Sequence, residues 1–277
     1  MSDAAAALLD QQGIVRLGVF AGLAVALVLF ERLRPRRPHG PGLWSRRGAN
    51  AALFGVDLVL VRFVAPAGLV GVAAAAQGAR LGLFSVVEGP AWIEGVVAIV
   101  LLDLAVWAQH VAFHRVPLFW RFHAVHHADV DLDVSSGVRF HPGEMVLSYV
   151  WKAIAVVVLG AGPATVLVFE VLLNAMSLVT HANLGIAPRV DALLRRLVVT
   201  PDMHRIHHSA RREETDSNYG FALSAWDRLF GTYRDGAQDG QLGLTIGLDA
   251  PRDPSATRTL LGVLAMPFGG GWRRWTA

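Results

Sequence analysis

From Ile14 to Leu33 the chain runs twenty residues with its charges only near the two ends, Arg16 at one and Glu31 and Arg32 at the other. As a helix, that length matches the hydrocarbon thickness of a bilayer, so the run is expected to span a membrane with its terminal charges snorkelling to the headgroups. A second span is expected within Ala49 to Ala76, kinked at Pro66. Its two charges, Asp57 and Arg62, should face protein or each other, because an intramembrane charge is costly against lipid. Gly78 to Pro90 reads as a loop, and Trp92 to Ala108 as a third span running on into a polar extension that bears histidines. Two further apolar runs, Met145 to Leu159 and Ala164 to Thr180, are separated by Gly160-Ala-Gly-Pro163 and read as a helical hairpin, or as a re-entrant hairpin given the shortness of each arm.

Composition agrees: 53% of the 277 residues are hydrophobic and 17% charged, too apolar for an ordinary soluble domain. The formal charge of +3 reflects membrane topology before nucleic-acid binding. Twenty-one of the 25 basic residues fall in 31–48, 109–143 and 182–277, which a layout of about four spans puts on one side, so these segments should be cytoplasmic. No Lys or Arg precedes residue 14, and a cleaved signal peptide is not expected. With no cysteine, any metal must take nitrogen or oxygen ligands. The expected fold class is all-α, a multi-pass membrane helical bundle with a cytoplasmic helical cap.

Ten of the eleven histidines lie between 110 and 208. His110 and His114 stand one helical turn apart. His123-x-x-His126-His127 and His204-x-x-His207-His208 each place two imidazoles on one helical face and a third alongside. His181 ends an apolar helix whose face also carries Glu170, Asn174 and Ser177, and is either a ligand or a buried, hydrogen-bonded histidine. His141, in the turn 139–144, is open between a metal ligand, a partner to one and a turn-stabilising residue. Imidazole suits Fe, Zn, Cu and Ni alike, so the count does not choose the metal.

The ordered blocks HVAFHR at 110–115, FWRFHAVHHAD at 119–129, RFHPGE at 139–144, HANLG at 181–185, TPDMHRIHHS at 200–209 and NYGFALSAWDRLFGTY at 218–233 resemble the fatty acid hydroxylase and sterol desaturase superfamily over roughly residues 90 to 235. The resemblance implies a membrane region at 1–88, a catalytic domain at 89–235 and a cytoplasmic tail at 236–277. It further implies a non-haem di-iron centre, held by the eight clustered histidines with His181 and His141 as further candidate ligands, that uses O2 to hydroxylate or desaturate a lipid. Some relatives carry a further histidine four residues before the position of His181, where this chain has Ser177. The electrons would come from a separate partner, cytochrome b5-like or ferredoxin-type, since the chain lacks G-x-G-x-x-G, a haem motif and cysteines. A zinc-dependent membrane hydrolase would call for H-E-x-x-H or G-x-S-x-G, and neither is present. A metal transporter would place its ligands near the bilayer midplane, whereas most of these lie beyond the spans. Asp103, two turns from His110, is expected to bond either to a histidine of another segment or to a polar partner within the bundle, and Arg139, Glu144, Asp202, Asn218 and Asp227 to serve as caps, turns or ion pairs as readily as in chemistry.

Overall fold

The computed structural model describes residues 10–87 and 89–269 and is all-helical, with isolated bridges but no strand among those residues. Nine helices carry the architecture: α1 (Gln12–Leu33), α2 (Leu43–Val64), α3 (Gly68–Gly78), α4 (Ala91–Arg115), α5 (Pro117–His127), α6 (Pro142–Leu159), α7 (Pro163–His181), α8 (Pro188–Leu194) and α9 (Pro201–His207). Five candidate membrane crossings result, because α2 and α3 form one kinked unit and both arms of the hairpin are long enough to span. The break between α2 and α3 falls at Pro66, as expected, and Gly68 at φ +60° restarts the helix. Helices α5 to α9 each begin at a proline, whose fixed φ suits a first turn and whose missing N–H costs nothing there.

Three apolar clusters hold the bundle. The largest joins Leu69 and Ala73 of α3, Leu102 and Val106 of α4, Val156 of α6 and Val166 and Leu173 of α7. A second packs Leu53 of α2 against Trp120 and Val125 of α5 and against Leu248, Val263 and Met266, so the described part of the C-terminal segment folds over the bundle. A third seats Leu27 of α1 against Leu178 and Val134. Outward, Ile14, Leu17, Val25, Leu29, Leu58, Phe63, Ile154 and Val158 remain exposed, as lipid-facing residues do.

The bundle has two distinct ends. At one, Gly82 (φ +92°) presses on Gly160 (φ +70°), so the turn at Leu81 and Gly82 and the hairpin turn lie together. A Cβ at Gly82 would come within 2.2 Å of the Gly160 backbone nitrogen. At the other end Pro35 bridges Leu184, Arg36 pairs with Asp202 at 3.0 Å, and Arg37 N–H donates to Asn183 Oδ1 at 3.0 Å. Here also α2 clamps the loop after α5. Arg46, 2% exposed, pairs with Asp129 at 2.9 Å and with Asp133. Arg47 pairs with Asp133 at 2.8 Å, Asn50 donates to Asp129 at 3.1 Å, and Arg139 donates to Asn50 at 2.7 Å.

The charges of the first two spans depart in part from expectation. Arg16 turns inward to Glu170 at 2.5 Å, and Glu31, 2% exposed, accepts the N–H groups of Val134 and Asn183 at 2.8 Å each. Both find protein partners in place of headgroups. Asp57 is buried as expected, whereas Arg62, in the last turn of α2, is exposed and not turned to protein as expected.

Two outcomes follow. Reporters inserted after residue 40 and after residue 85 should read opposite faces of the membrane, and a common face for both would refute this arrangement. Arg46→Ala leaves Asp129 and Asp133 short of their buried cation. It should cost about 3–5 kcal/mol, read as a lowered thermal midpoint of the solubilised protein, and an unchanged midpoint would disprove the clamp.

Candidate metal centre

Helix α4 runs past the apolar core and delivers His110 and His114, while α5 delivers His123, His126 and His127, α7 His181 and α9 His204 and His207, with His208 capping α9. Their ring nitrogens gather into two groups, each within 4.8 Å: His110, His114, His123, His127 and His207 in one, and His126, His181, His204 and His208 in the other. The two H-x-x-H-H boxes divide in opposite senses. From α5 the i, i+4 pair His123 and His127 enters the first group and His126 the second. From α9 the pair His204 and His208 enters the second and His207 the first.

Hydrogen bonds on the outer side of the rings determine which nitrogen faces inward. The Nδ1 of His110 donates to Tyr219 O at 2.8 Å, that of His126 to Arg139 O at 3.1 Å, that of His181 to Ser177 O at 2.7 Å and that of His207 to Ser217 O at 2.7 Å. His123 Nδ1 donates to Glu144 Oε1 at 2.7 Å, and His114 Nδ1 lies 3.4 Å from Asp216. Carbonyls accept only, so His110, His126, His181 and His207 carry their proton on Nδ1 and a lone pair on Nε2, and an ionised Glu144 assigns His123 the same tautomer. Yet Nε2 of His110 faces Nε2 of His123 at 3.1 Å, and Nε2 of His181 faces those of His126 at 3.0 Å and His204 at 3.1 Å. Opposed lone pairs at that distance need a cation between them.

A proton is a poor candidate for that cation. Burial pushes the His123 imidazole down to about 3, and burial likewise holds His126, His127, His204, His207 and His208 well below the ordinary range. In addition, His114 Nε2, His127 Nε2, His207 Nε2, His204 Nδ1 and both nitrogens of His208 are buried without a hydrogen-bond partner. Nine neutral imidazoles with unsatisfied inward nitrogens fit metal ions of intermediate softness.

All eight clustered histidines and His181 therefore converge. His141 stands apart from both groups as the N-cap of α6, its Nδ1 accepting from Gly143 N–H at 2.9 Å and its Nε2 lying 3.3 Å from Leu264 O. Ser177 donates its hydroxyl to Gly137 O at 2.7 Å and lends its carbonyl to His181. Asp103 accepts from Leu223 N–H at 3.1 Å and from Trp226 Nε1 at 2.8 Å, the bundle contact expected of it. Asp227 fastens the same segment, accepting from Trp107 Nε1, Tyr219 N–H and Gly220 N–H. Asn218, at φ +53°, donates to Met203 O and Arg234 O, and so holds the turn that brings the Ser217 and Tyr219 carbonyls to His207 and His110.

Beside the histidines lies a cavity of about 140 Å³, into which His110, His123, His126, His181 and His204 project, with Phe20, Phe54, Phe113, Phe140, Leu173 and Phe221 as apolar walls. Asp57 and Lys152 also line it. Neither was singled out as a site residue from the motifs, although each is a charge inside an apolar run, the signal that points to function in a membrane helix.

Residues 95–232 match the family model for fatty acid hydroxylase. The chain is 27% identical over 226 residues to an ornithine lipid hydroxylase of Rhizobium tropici, covering 78% of this chain and 66% of that one. It is 28% identical over 145 residues to an alkylglycerol monooxygenase of Homo sapiens, covering 52% and 31%, and 29% identical over 132 residues to a very-long-chain aldehyde decarbonylase of Oryza sativa, covering 44% and 20%. The matches thus span about two thirds of the bacterial relative and under a third of the other two. No solved structure matches the chain.

The buried imidazoles make stability depend on pH. The unfolded chain takes up protons near the ordinary value of 6.5, while folded His123 does not until about 3. Below about pH 6.5 the unfolded state then binds more protons, so stability is full above that pH and falls by ~1.4 kcal/mol per unit for each such histidine as pH drops. Metal-free protein should show a lower thermal midpoint at pH 5 than at pH 7.5, and a midpoint that rose on acidification would contradict neutral, buried rings.

Proposed function

Because the chain belongs to the fatty acid hydroxylase family, we propose that it is a membrane-bound oxygenase whose nine converging histidines hold two iron ions and oxidise a C–H bond of a lipid with O2. The observation that supports this most directly is the opposition of imidazole lone pairs in two adjacent groups, a donor set too large for one tetrahedral ion. A bound iron pair supplies the capacity to activate O2 with two electrons from outside the chain.

The residues perform the rest. His110, His114, His123, His127 and His207 hold one ion, and His126, His181, His204 and His208 the other. Glu144, through His123, and the carbonyls of Tyr219, Arg139, Ser177 and Ser217 keep the rings oriented and their protons on the outer nitrogen. His141 closes the wall behind them by capping α6. The aromatic walls admit the lipid and exclude water from the reacting carbon. The arginine-rich end of the bundle, where the histidines lie, is the cytoplasmic end, and it receives electrons from a separate cytochrome b5-like or ferredoxin-type donor.

Replacing His126, His127, His207 or His208 by Ala should each abolish turnover and lower the iron content from about two per chain, since each removes a bond that solvent replaces poorly. His39→Ala, remote from both groups and paired with Asp131 at 3.1 Å, should be nearly silent. With reductant and substrate, a hydroxylated product should carry label from isotopic O2 and none from labelled water. Full activity in any two of the four variants would sink the ligand assignment, and turnover without oxygen on zinc alone would overturn the oxygenase reading and leave a hydrolase in its place.

A further inference from the structure

An alkyl chain needs only apolar walls, yet one side of the cavity is strongly polar. Glu144, Ser148 and Lys152 line it from α6 at i, i+4 and i+8, so one helical face presents a carboxylate, a hydroxyl and an ammonium over about 12 Å. Asp57 joins them from α2, 3% exposed and with no partner at Oδ1. Glu144 Oε2 is likewise buried and unpartnered, and both acids line the one cavity.

Lys152 is the single lysine of the chain and has no hydrogen-bond or ion-pair partner among the described residues. It senses Glu144 and Glu170, but both acids are engaged elsewhere, Glu144 with His123 at 2.7 Å and Glu170 with Arg16 at 2.5 Å. An unpaired lysine within a membrane helix, lining the same cavity as two carboxyl oxygens that lack donors, is an expensive arrangement that a ligand of opposite polarity would complete.

We propose that the cavity takes its lipid by a zwitterionic polar end, with an ammonium group meeting Asp57 and Glu144 and an oxyanion, carboxylate or phosphate, meeting Lys152. The proposal rests on reading the cavity as the substrate site of the oxygenase. It places oxidation near the polar end of the lipid, because the Glu144 carboxylate that meets the ammonium is bonded to His123, which faces the same cavity.

Binding to the full chain in nanodiscs tests this without turnover. The probes are Nα-palmitoyl-lysine, its methyl ester, its side-chain N-acetyl form and palmitoyl lysophosphatidylethanolamine. The ester and the acetylated form should each bind about thirtyfold more weakly than the parent. Lys152→Met should erase the ester penalty alone, and Asp57→Asn the acetyl penalty alone. Tighter binding of the lysophospholipid, lost in Lys152→Met, would support a phosphate as the oxyanion, and the reverse order a carboxylate. Equal affinity of the wild-type chain for parent, ester and acetylated form overturns the proposal, whether or not the variants fold. Charge discrimination without any oxygen-dependent turnover would instead count against the oxygenase reading.

Discussion

The structure depends on holding nine neutral imidazoles with their lone pairs pointed at one another. Left alone, such an array would repel itself or recruit water. Here five of the outer nitrogens, those of His110, His123, His126, His181 and His207, are tied to carbonyls or to Glu144, and burial denies the rings a proton. Each outer acceptor must itself be held still. Tyr219 and Ser217 are held by the Asn218 turn and by Asp227, and Asp227 is in turn bonded to Trp107 on the helix that carries His110.

The N-terminal helices belong to that support. Glu31, Arg46, Arg47 and Asn50 bind the loop 129–136, and Asn50 also accepts from Arg139, whose carbonyl orients His126. Buried ion pairs of this kind add little net stability, since desolvation offsets much of the attraction. What they provide is placement, because a loop with two buried aspartates has one low-energy position, under the arginines.

Much of this was legible in the residues. Apolar runs mark the crossing segments, though they indicate about four where five are found among the described residues, Pro66 marks the kink, and histidine spacing marks eight of the nine converging rings, leaving His181 open. The positions of His141, Arg16 and Glu31 were not legible, because helix capping and interhelix pairing depend on which segments meet, and residue spacing within one segment carries no record of that. Arg46 and Asn50 sit in a stretch without a recognisable motif, and their partners lie about eighty residues on. Asp57 and Lys152 were visible as charges in apolar runs, but only the fold shows that both line one cavity.

The opposite division of the two H-x-x-H-H boxes has a consequence for how the centre is assembled. Since α5 and α9 each contribute to both groups, neither site can be built while the other is missing, and a shift of either helix disturbs both at once. The offset between i and i+3 on a single helix then acts as a ruler, fixing the separation of the two sites by backbone geometry. The two groups therefore keep one spacing, set by the backbones of α5 and α9 and by nothing that lies between.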